Sequence, residues 1–323
     1  METDAITTFL EPDWGACNRY LLDSVESPFL LLTQANDHLL IHRGKQIRPI
    51  LTLLSAKLCG NPTPLSGVAA AVVEMVHTAT LLHDDVADRS DMRRGAVTVQ
   101  KRFSPSTSVL LGDFWLARAF QLLMDYGGEI LLNNFARAIR EMSEGELFQM
   151  EKAALRNTTI AEYYQIITKK TALLMAAGMT AGAQSAGAHK AQCEVIEQIG
   201  VCLGIAFQIR DDILDYSPQM HTGKPSGQDL LEGKMTLPLL GALEQASKEV
   251  RREINRGIQE LTPDSHHLEK IIDFVAHYRG IEYAQNEVER KTLEANALLS
   301  QCPDNPARLH LQEIIASLSE RDK

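Results

Sequence analysis

Several features are scarce in this chain of 323 residues, and each scarcity argues against a class of protein. The five cysteines show no CxxC spacing, which argues against a zinc site or a disulfide framework. The 32 basic residues are outnumbered by 42 acidic ones, so nucleic acid is disfavoured as a partner. No apolar run approaches the roughly 18 residues of a membrane span. The acidic start is followed by no apolar segment, so we expect no secretory signal and a cytoplasmic protein.

Signals for β-strands are also weak, whereas signals for helices run along the whole chain. There is no Asn-Gly or Asp-Gly hairpin turn, and strong helix formers such as Leu, Ala and Glu dominate. Without a composition break or a repeat, we predict an all-α bundle with a single domain over residues 1–323. The polar stretch 217–234 is predicted to be a functional loop. The predicted helices cover about 49–59, 66–88, 107–126, 128–155, 160–187, 190–216, 235–246, 247–260, 265–278, 280–300 and 305–320.

Two acidic clusters of the form DDxxD follow apolar segments, DDVAD at 84–88 and DDILD at 211–215. Residues four apart share one face of a helix, so the first and last carboxylates of each cluster stand one above the other. One such cluster could equally be a solvated helix end, but two copies favour a metal site. Mg²⁺ prefers oxygen ligands and is typically held by carboxylates together with substrate phosphates. The pattern therefore predicts a phosphate-bearing substrate bound through Mg²⁺.

Basic residues near these clusters complete a candidate anion site. Lys45 and Arg48 stand at a predicted helix start. Positive charge there opposes the helix dipole, so a gain in helix stability does not explain these two residues. A bound phosphate would be held there by the dipole and the side chains together. Each basic pair alone could be a solvated surface, but the neighbouring acidic clusters favour a functional role. The other candidates are Arg93, Arg94, Lys169, Lys170, Lys224 and Lys234.

One histidine shares a helix face with the first acidic cluster. His77 lies seven residues, or two turns, before Asp84. A single histidine on an apolar helix is more often part of the core, but the shared face favours contact with a ligand. Other chemistry has little support, because the chain has no GxGxxG, P-loop or GxSxG motif.

Taken together, these motifs resemble the trans-isoprenyl diphosphate (polyprenyl) synthase family from about residue 40 to about residue 300. One departure is Arg43-Gly44-Lys45-Gln46, where the family often has Gly-Gly-Lys-Arg, although Lys45 and Arg48 are retained. The resemblance implies an all-α bundle around a deep central cavity, usually in a homodimer. The segments that carry it are GKQIRP at 44–49, LLHDDVADRSDMRRG at 81–95, LLGDF at 110–114, EGE at 144–146, KKT at 169–171, FQIRDDILDY at 207–216, TGKPSGQDLLEGKMTLPLL at 222–240 and GIEYA at 280–284.

The resemblance also implies a role for each matching residue. Magnesium, in up to three ions, is expected at Asp84, Asp88 and Asp211. The expected catalytic set is Asp84, Asp85, Asp88, Asp211, Asp212 and Lys170, with Asp215 close by. The residues expected to bind isopentenyl diphosphate are Lys45, Arg48, His77 and Arg94. Those expected around the allylic diphosphate are Arg93, Lys170, Thr171, Gln208, Lys224 and Lys234.

The implied reaction condenses isopentenyl diphosphate with an allylic diphosphate. Ala79 and Thr80 are the expected chain-length residues: they are small where short-chain relatives commonly carry aromatics, so a product longer than geranylgeranyl is expected. The alternatives are a short-chain (farnesyl or geranylgeranyl) synthase and a non-catalytic helical partner subunit, which would be expected to lose some of these charges. A terpene cyclase would lack the isopentenyl-binding set. We expect no transmembrane segment, while a peripheral membrane contact during product release stays open.

Overall fold

The computed structural model describes residues 3–216, 227–262 and 266–319, and its regular structure is almost entirely helical. Two π-helical turns, Leu123–Gly127 and Thr168–Ala172, and two short strands, β1 (Met92–Arg93) and β2 (Ala96–Val97), accompany the α-helices. The α-helices are α1 (Thr3–Phe9), α2 (Asp13–Val25), α3 (Leu30–Ile41), α4 (Ile47–Cys59), α5 (Pro64–Ala87), α6 (Val99–Arg102), α7 (Pro105–Leu122), α8 (Gly128–Leu155), α9 (Ile160–Ile167), α10 (Leu173–Ser185), α11 (Lys190–Asp215), α12 (Gln228–Leu231), α13 (Leu237–Gln245), α14 (Lys248–Gln259), α15 (His267–His277), α16 (Gly280–Leu299) and α17 (Pro306–Ser319).

The all-α prediction is confirmed, and the predicted helix bounds agree with the structure to about two residues when the π-helical turns are included. The predicted helix 160–187 is divided by the turn Thr168–Ala172. Three helices before residue 42 were not predicted. The predicted loop lies outside the described residues over 217–226, and its later part contains α12.

The described residues fall into two compact units. Unit 1 takes them from Met1–Ile139, Leu174–Gly200 and Leu299–Glu313. Unit 2 takes them from Arg140–Leu173, Val201–Leu298 and Ile314–Lys323. The two acidic clusters therefore belong to different units, and each is described in its own surroundings.

The core of unit 1 is built around α5, which packs against α2, α4 and α7. Thr63 and Ser66 form a capping box at its start, and Pro64 occupies the first turn, where its missing N–H costs nothing. Residues 68–73 are completely buried. Although no apolar run of that length stood out in the sequence, α5 is long and apolar enough to cross a membrane. However, 72% of its most apolar window is buried within the protein, as in a core helix.

A short β-hairpin follows α5 and was not predicted. Met92 pairs with Val97 and Arg93 with Ala96, so Arg94 and Gly95 form the two-residue turn. Both turn residues are left-handed, with φ of 52° and 76°, as a type I′ turn requires. The sequence did not signal this hairpin because an arginine occupies the position where Asn or Asp is usual.

The core of unit 2 is a hydrophobic cluster with residues from α9, α11, α13, α15 and α16. Thr159 and Glu162 form a capping box that starts α9. The π-helical turn Thr168–Ala172, which contains the KKT segment, follows α9 directly. Such turns insert an extra residue into a helix and often mark functional sites.

Candidate active site

The first acidic cluster ends α5 in unit 1. Asp84 is half-buried, and Asp88, which closes the helix, is exposed. Asp85 turns into the protein instead: its side chain is 6% exposed, and its Oδ1 accepts a hydrogen bond of 2.6 Å from Arg93 Nε. The cluster thus has two accessible carboxylates on one face and one buried carboxylate, Asp85, which holds the Arg93 guanidinium.

A second contact fixes the base of the loop that leads to the hairpin arginines. Gln100 donates its side-chain amide to the carbonyl oxygens of Asp85 and Ser90, at 2.6 and 2.8 Å. The end of α5 and the loop residue Ser90, just before β1, are therefore tied to the same side chain.

Buried His38, in α3, holds the other side of the hairpin. Its Nδ1 lies 2.9 Å from Arg102 Nη1 and its Nε2 lies 2.6 Å from the Val97 carbonyl oxygen. A guanidinium only donates hydrogen bonds, so Nδ1 accepts and Nε2 carries the proton that it donates to Val97. Sequence reasoning missed His38 because its partners lie 59 and 64 residues away and no local pattern marks them.

The GKQIRP segment meets the hairpin turn in unit 1. A Cβ atom at Gly44 would sit 2.5 Å from Cζ of Arg94, so any side chain at this position would displace the guanidinium that lies over the backbone. Lys45 is exposed, and Arg48 is half-buried in the first turn of α4. Two segments that the sequence separates by almost fifty residues thus contribute to one basic cluster.

His77 and Glu74 lie on α5 close to these arginines. Burial lowers the pKa of His77 well below its usual value, and the charges of Arg48 and Arg94 act in the same direction. The imidazole is therefore neutral at pH 7. Burial raises the pKa of Glu74, while Arg48, Arg94 and Arg43 oppose that rise. Glu74, Arg43 and Arg94 also line a cavity of about 80 Å³.

The second acidic cluster ends α11 in unit 2. Asp211 is exposed, whereas Asp212 is only 4% exposed. The Asp212 carboxylate accepts hydrogen bonds from Tyr163 Oη at 2.5 Å and from Gln208 Nε2 at 2.9 Å. As in the first cluster, the middle carboxylate is a buried anchor and the first one is accessible.

Asp215 has partners that its spacing did not indicate. Its two carboxylate oxygens accept the backbone N–H groups of Gln228 and Asp229, each at 3.1 Å, and so cap α12. Burial first, and the negative charge of Asp229 second, raise the pKa of Asp215 to about 6. The same two causes raise the pKa of Asp212 to about 8.

The EGE segment of α8 packs on the π-helical turn in unit 2. A Cβ atom at Gly145 would lie 2.7 Å from Cβ of Lys169 and 3.0 Å from the Lys170 nitrogen, so glycine is needed for this close approach. Lys170 Nζ pairs with Glu146 at 2.5 Å and donates to Gln149 at 2.7 Å. The two motifs EGE and KKT thus form one structural element.

A polar cavity of about 130 Å³ in unit 2 gathers most of the residues expected around an allylic diphosphate. Its wall also contains Tyr163 and Asp229, which sequence reasoning did not select. The expected residues that line it are Lys170, Thr171, Gln208 and Lys234, together with Asp212 of the acidic cluster.

Comparisons with known proteins bear on this geometry. A family model described as polyprenyl synthetase matches residues 30–275. The chain belongs to this family. It is 38% identical over 299 residues to an all-trans-nonaprenyl-diphosphate synthase (geranyl-diphosphate specific) of Rhodobacter capsulatus, over 92% of this chain and 91% of that protein. It is 33% identical to the octaprenyl diphosphate synthase of Escherichia coli, over the whole length of both.

A solved structure shows that the fold of this polyprenyl synthetase is also similar to that of a known protein. A polyprenyl synthase from Caulobacter crescentus, complexed with calcium and isoprenyl diphosphate, matches with a TM-score of 0.91 and 35% identity. The match covers 99% of this chain and 98% of that one. The predicted family and its all-α isoprenoid synthase fold are confirmed.

The remaining predicted residues of the polyprenyl synthetase are placed as follows. Arg93 lies in unit 1, bound to Asp85, whereas the other described candidates for the allylic site lie in unit 2. Lys224 lies outside the described residues. Ala79 is 1% exposed, and half-buried Thr80 donates its hydroxyl to the His77 carbonyl oxygen at 2.8 Å. The assigned roles of these residues stay predictions.

The accessible carboxylates suit a hard divalent cation. Asp84, Asp88 and Asp211 offer oxygen ligands alone. Within the described ranges, no three His, Cys, Asp or Glu side chains form a closed metal site. Carboxylate oxygens are ligands of hard divalent cations, which complete their coordination with water and substrate phosphates.

Proposed function

We propose that this polyprenyl synthetase is a prenyltransferase that condenses isopentenyl diphosphate with an allylic diphosphate and releases a trans-polyprenyl diphosphate. The observation that supports this best is the cavity of unit 2. There Lys170, Thr171, Gln208 and Lys234, selected from sequence motifs in three separate segments, line one polar space beside the second acidic cluster.

The basic cluster of unit 1 is suited to the diphosphate of the isopentenyl substrate. Lys45, Arg48 and Arg94 provide charge-assisted donors, and an arginine fork matches phosphate oxygens. The neutral His77 adds a hydrogen-bonding group without a further positive charge. Because isopentenyl diphosphate keeps its diphosphate during the reaction, a site of fixed cations suits it.

The site of unit 2 is suited to the diphosphate that leaves. Lys170 and Lys234 place positive charge where negative charge develops as the allylic C–O bond breaks. The alkene of isopentenyl diphosphate then attacks C1 of the carbocation, and a proton leaves the adduct for the released diphosphate. Apolar helix faces exclude water that would otherwise quench the cation. No side-chain nucleophile is required for this reaction, and the chain has no GxSxG nucleophile motif.

Magnesium belongs to this proposal as the cation of the acidic clusters, in up to three ions. Asp84 and Asp88 would hold it in unit 1, and Asp211 in unit 2. When bound with the substrate, Mg²⁺ neutralises the charge of the departing diphosphate. Asp85 and Asp212 are anchored to Arg93 and Tyr163, so their proposed part is to support these carboxylates rather than to meet the ion.

The proposed product is longer than geranylgeranyl. Small side chains at Ala79 and Thr80, one turn before Asp84, support this length. The relatives from Rhodobacter capsulatus and Escherichia coli, named as nonaprenyl and octaprenyl synthases, support it as well.

We also propose that the protein forms a homodimer in the cytoplasm. In unit 1, α7 and the π-helical turn after it expose Leu110 at 67%, Met124 at 72% and Tyr126 at 56%. These large apolar side chains lie along one stretch of helix and are typical of a subunit interface. Light scattering that finds a dimer, and a monomer after Leu110→Glu, would support this arrangement.

A product assay tests the proposed function directly. The purified protein is incubated with isopentenyl diphosphate, Mg²⁺ and each of the geranyl, farnesyl and geranylgeranyl diphosphates, and products are sized by mass spectrometry. We expect polyprenyl diphosphates longer than 20 carbons. Products that stop at farnesyl or geranylgeranyl would indicate the short-chain alternative, and absence of any condensation would refute the enzyme assignment.

A further inference from the structure

Two adjacent tyrosines of α9 donate hydrogen bonds to acidic side chains in unit 2, and only one of those acids belongs to the active-site motifs. Tyr163 is 3% exposed, and its hydroxyl donates to Oδ2 of Asp212 at 2.5 Å. Tyr164 donates to Oε2 of Glu287, also at 2.5 Å. None of the motifs in the sequence includes Tyr163.

The Tyr163 contact begins a chain of hydrogen bonds that runs to the polar cavity. Gln208 donates from Nε2 to Oδ1 of Asp212 at 2.9 Å, and its Oε1 accepts the Thr171 hydroxyl at 2.7 Å. An amide donates only through nitrogen and accepts only through oxygen, so the contacts with Asp212 and Thr171 together fix the orientation of the Gln208 amide. Four side chains from three segments of unit 2 are thereby set in one arrangement.

We propose that Tyr163 is a positioning residue that orients the allylic-diphosphate site through Asp212. The inference rests on the proposed function, because Gln208 and Thr171 are substrate contacts only if the chain is a prenyl diphosphate synthase. Tyr163 lines the polar cavity as Asp212 does, and its proposed part is to hold the Asp212 carboxylate rather than to bind substrate.

The Tyr163 hydroxyl contacts a carboxylate that is almost completely buried. Asp212 is 4% exposed, and each of its two oxygens has its own donor. Without the phenol hydroxyl, Oδ2 loses its hydrogen-bond donor from the protein. The carboxylate is then free to rotate about its own bond, and the amide of Gln208 and the hydroxyl of Thr171 lose their fixed directions.

The neighbouring tyrosine provides a matched control. Tyr163→Phe and Tyr164→Phe each remove one hydroxyl, from the same helix, that is bonded to a carboxylate at the same distance. Both variants lose a tyrosine–carboxylate hydrogen bond, while Glu287 keeps Arg290 as a further partner. An effect on the allylic site is expected only from Tyr163→Phe.

The test measures binding as well as turnover. Isothermal titration with farnesyl S-thiolodiphosphate, which does not ionise readily, is done in the presence of Mg²⁺ on wild type and both variants. We expect Tyr163→Phe to weaken binding about five- to tenfold, as for partial loss of a charge-assisted hydrogen bond. Tyr164→Phe should stay within about twofold. In the condensation assay, the KM for the allylic diphosphate should rise in Tyr163→Phe while the KM for isopentenyl diphosphate stays within about twofold.

A double-mutant cycle distinguishes action through Asp212 from a general loss of stability. If Tyr163 acts through Asp212, Tyr163→Phe should add little to the effect of Asp212→Asn on binding of the analogue. Equal losses in both tyrosine variants, equal rises of both KM values, or additive effects in the cycle would overturn the proposal. Inactive wild-type protein would refute the proposed function instead, so the two failures are distinguishable.

Discussion

The two DDxxD clusters have the same pattern but opposite electrostatic surroundings. In unit 1 the buried middle carboxylate, Asp85, is bonded to Arg93. In unit 2 the buried middle carboxylate, Asp212, is bonded to the neutral groups of Tyr163 and Gln208 and lies near the negative charge of Asp229. In both units the first aspartate stays accessible. The three aspartates of each motif are therefore not equivalent: the first is accessible, and the middle one is buried and hydrogen-bonded within the protein.

Burial favours the neutral form in both units, but the neighbouring charges act in opposite directions. In unit 1, burial and neighbouring arginines lower the pKa of His77, and the same arginines oppose the rise that burial causes in the pKa of Glu74. In unit 2, burial and Asp229 raise the pKa values of Asp212 and Asp215 to about 8 and about 6, so this region retains protons. A fixed cationic site suits a diphosphate that stays bound to its carbon chain. A site rich in carboxyl side chains suits a diphosphate that arrives with metal ions and leaves with them.

The largest expected effect comes from removing the accessible carboxylate of either cluster. Asp84→Ala and Asp211→Ala should each lower kcat by at least about a hundredfold, because each removes a preorganised charge that acts in the transition state. The measurement is steady-state turnover at saturating Mg²⁺. Asp273→Ala, an exposed acid of α15, serves as the control for lost charge. Near-normal rates in both cluster variants would contradict the metal assignment.

Removing one cation from each unit should separate the two substrate sites. Arg94→Ala should mainly raise the KM for isopentenyl diphosphate, and Lys170→Ala mainly that for the allylic diphosphate. Each change should be about ten- to a hundredfold, since a charged hydrogen bond contributes about 1.5–3 kcal/mol. The measurement is the pair of KM values for each variant.

Matched cations control for a general loss of positive charge. Lys101 pairs with Asp91 in unit 1, and Lys291 pairs with Glu294 in unit 2. Lys101→Ala and Lys291→Ala should change both KM values by less than about threefold, as expected for partly exposed ion pairs. If Arg94→Ala and Lys170→Ala raised both KM values equally, the two units would not bind separate substrates.

The positions one turn before each cluster differ in size, and this difference bears on product length. Before Asp84 stand Ala79 and Thr80, whereas Phe207 stands four residues before Asp211. Ala79→Phe should shorten the product while the first condensation continues, because the ring fills space needed by a growing chain. Overpacking of this buried position costs roughly 1–3 kcal/mol, so thermal unfolding is measured alongside product size. Phe207→Ala should leave product length unchanged, and an unchanged distribution in Ala79→Phe would contradict the chain-length role.

The sequence predicted what depends on local pattern and missed what depends on tertiary packing. Apolar periodicity with Pro and Gly punctuation located helices such as α5 and α8, because these signals act within a few residues. The spacing of Asp84 and Asp88 placed both on one face. Spacing alone could not show that Asp85 turns inward, because the buried side of a helix is set by the elements packed against it.

Long-range contacts explain the other omissions. Tyr163 meets Asp212 across 49 residues, and His38 meets Arg102 across 64. Asp215 looked like a partner of Asp211 on one helix face, yet its oxygens cap α12. The family resemblance supplied residue types at matched positions, but not these supporting contacts, which carry no motif.

The smallest expected effect concerns the pH dependence of stability in the acid-rich unit. Asp212 and Asp215 have folded-state pKa values of about 8 and about 6, above the usual value of 3.8. A folded protein that holds protons more tightly than the unfolded chain is favoured at low pH and loses that advantage as pH rises. These two groups should therefore lower the free energy of unfolding between about pH 4 and pH 8. Because Asp229 contributes to both shifts, Asp229→Asn should lower both pKa values and reduce this loss.

We expect the Tm of Asp229→Asn, relative to wild type, to be higher by about 1–3 °C at pH 8 and to approach wild type at pH 5. The measurement is differential scanning calorimetry without divalent cations, since bound metal would favour the ionised carboxylates and mask the difference. Asp273→Asn, which removes an exposed charge from the same unit, should show no such dependence on pH. A difference of the same size at both pH values would mean that Asp229 acts through packing, and the raised pKa values of Asp212 and Asp215 would then rest on burial alone.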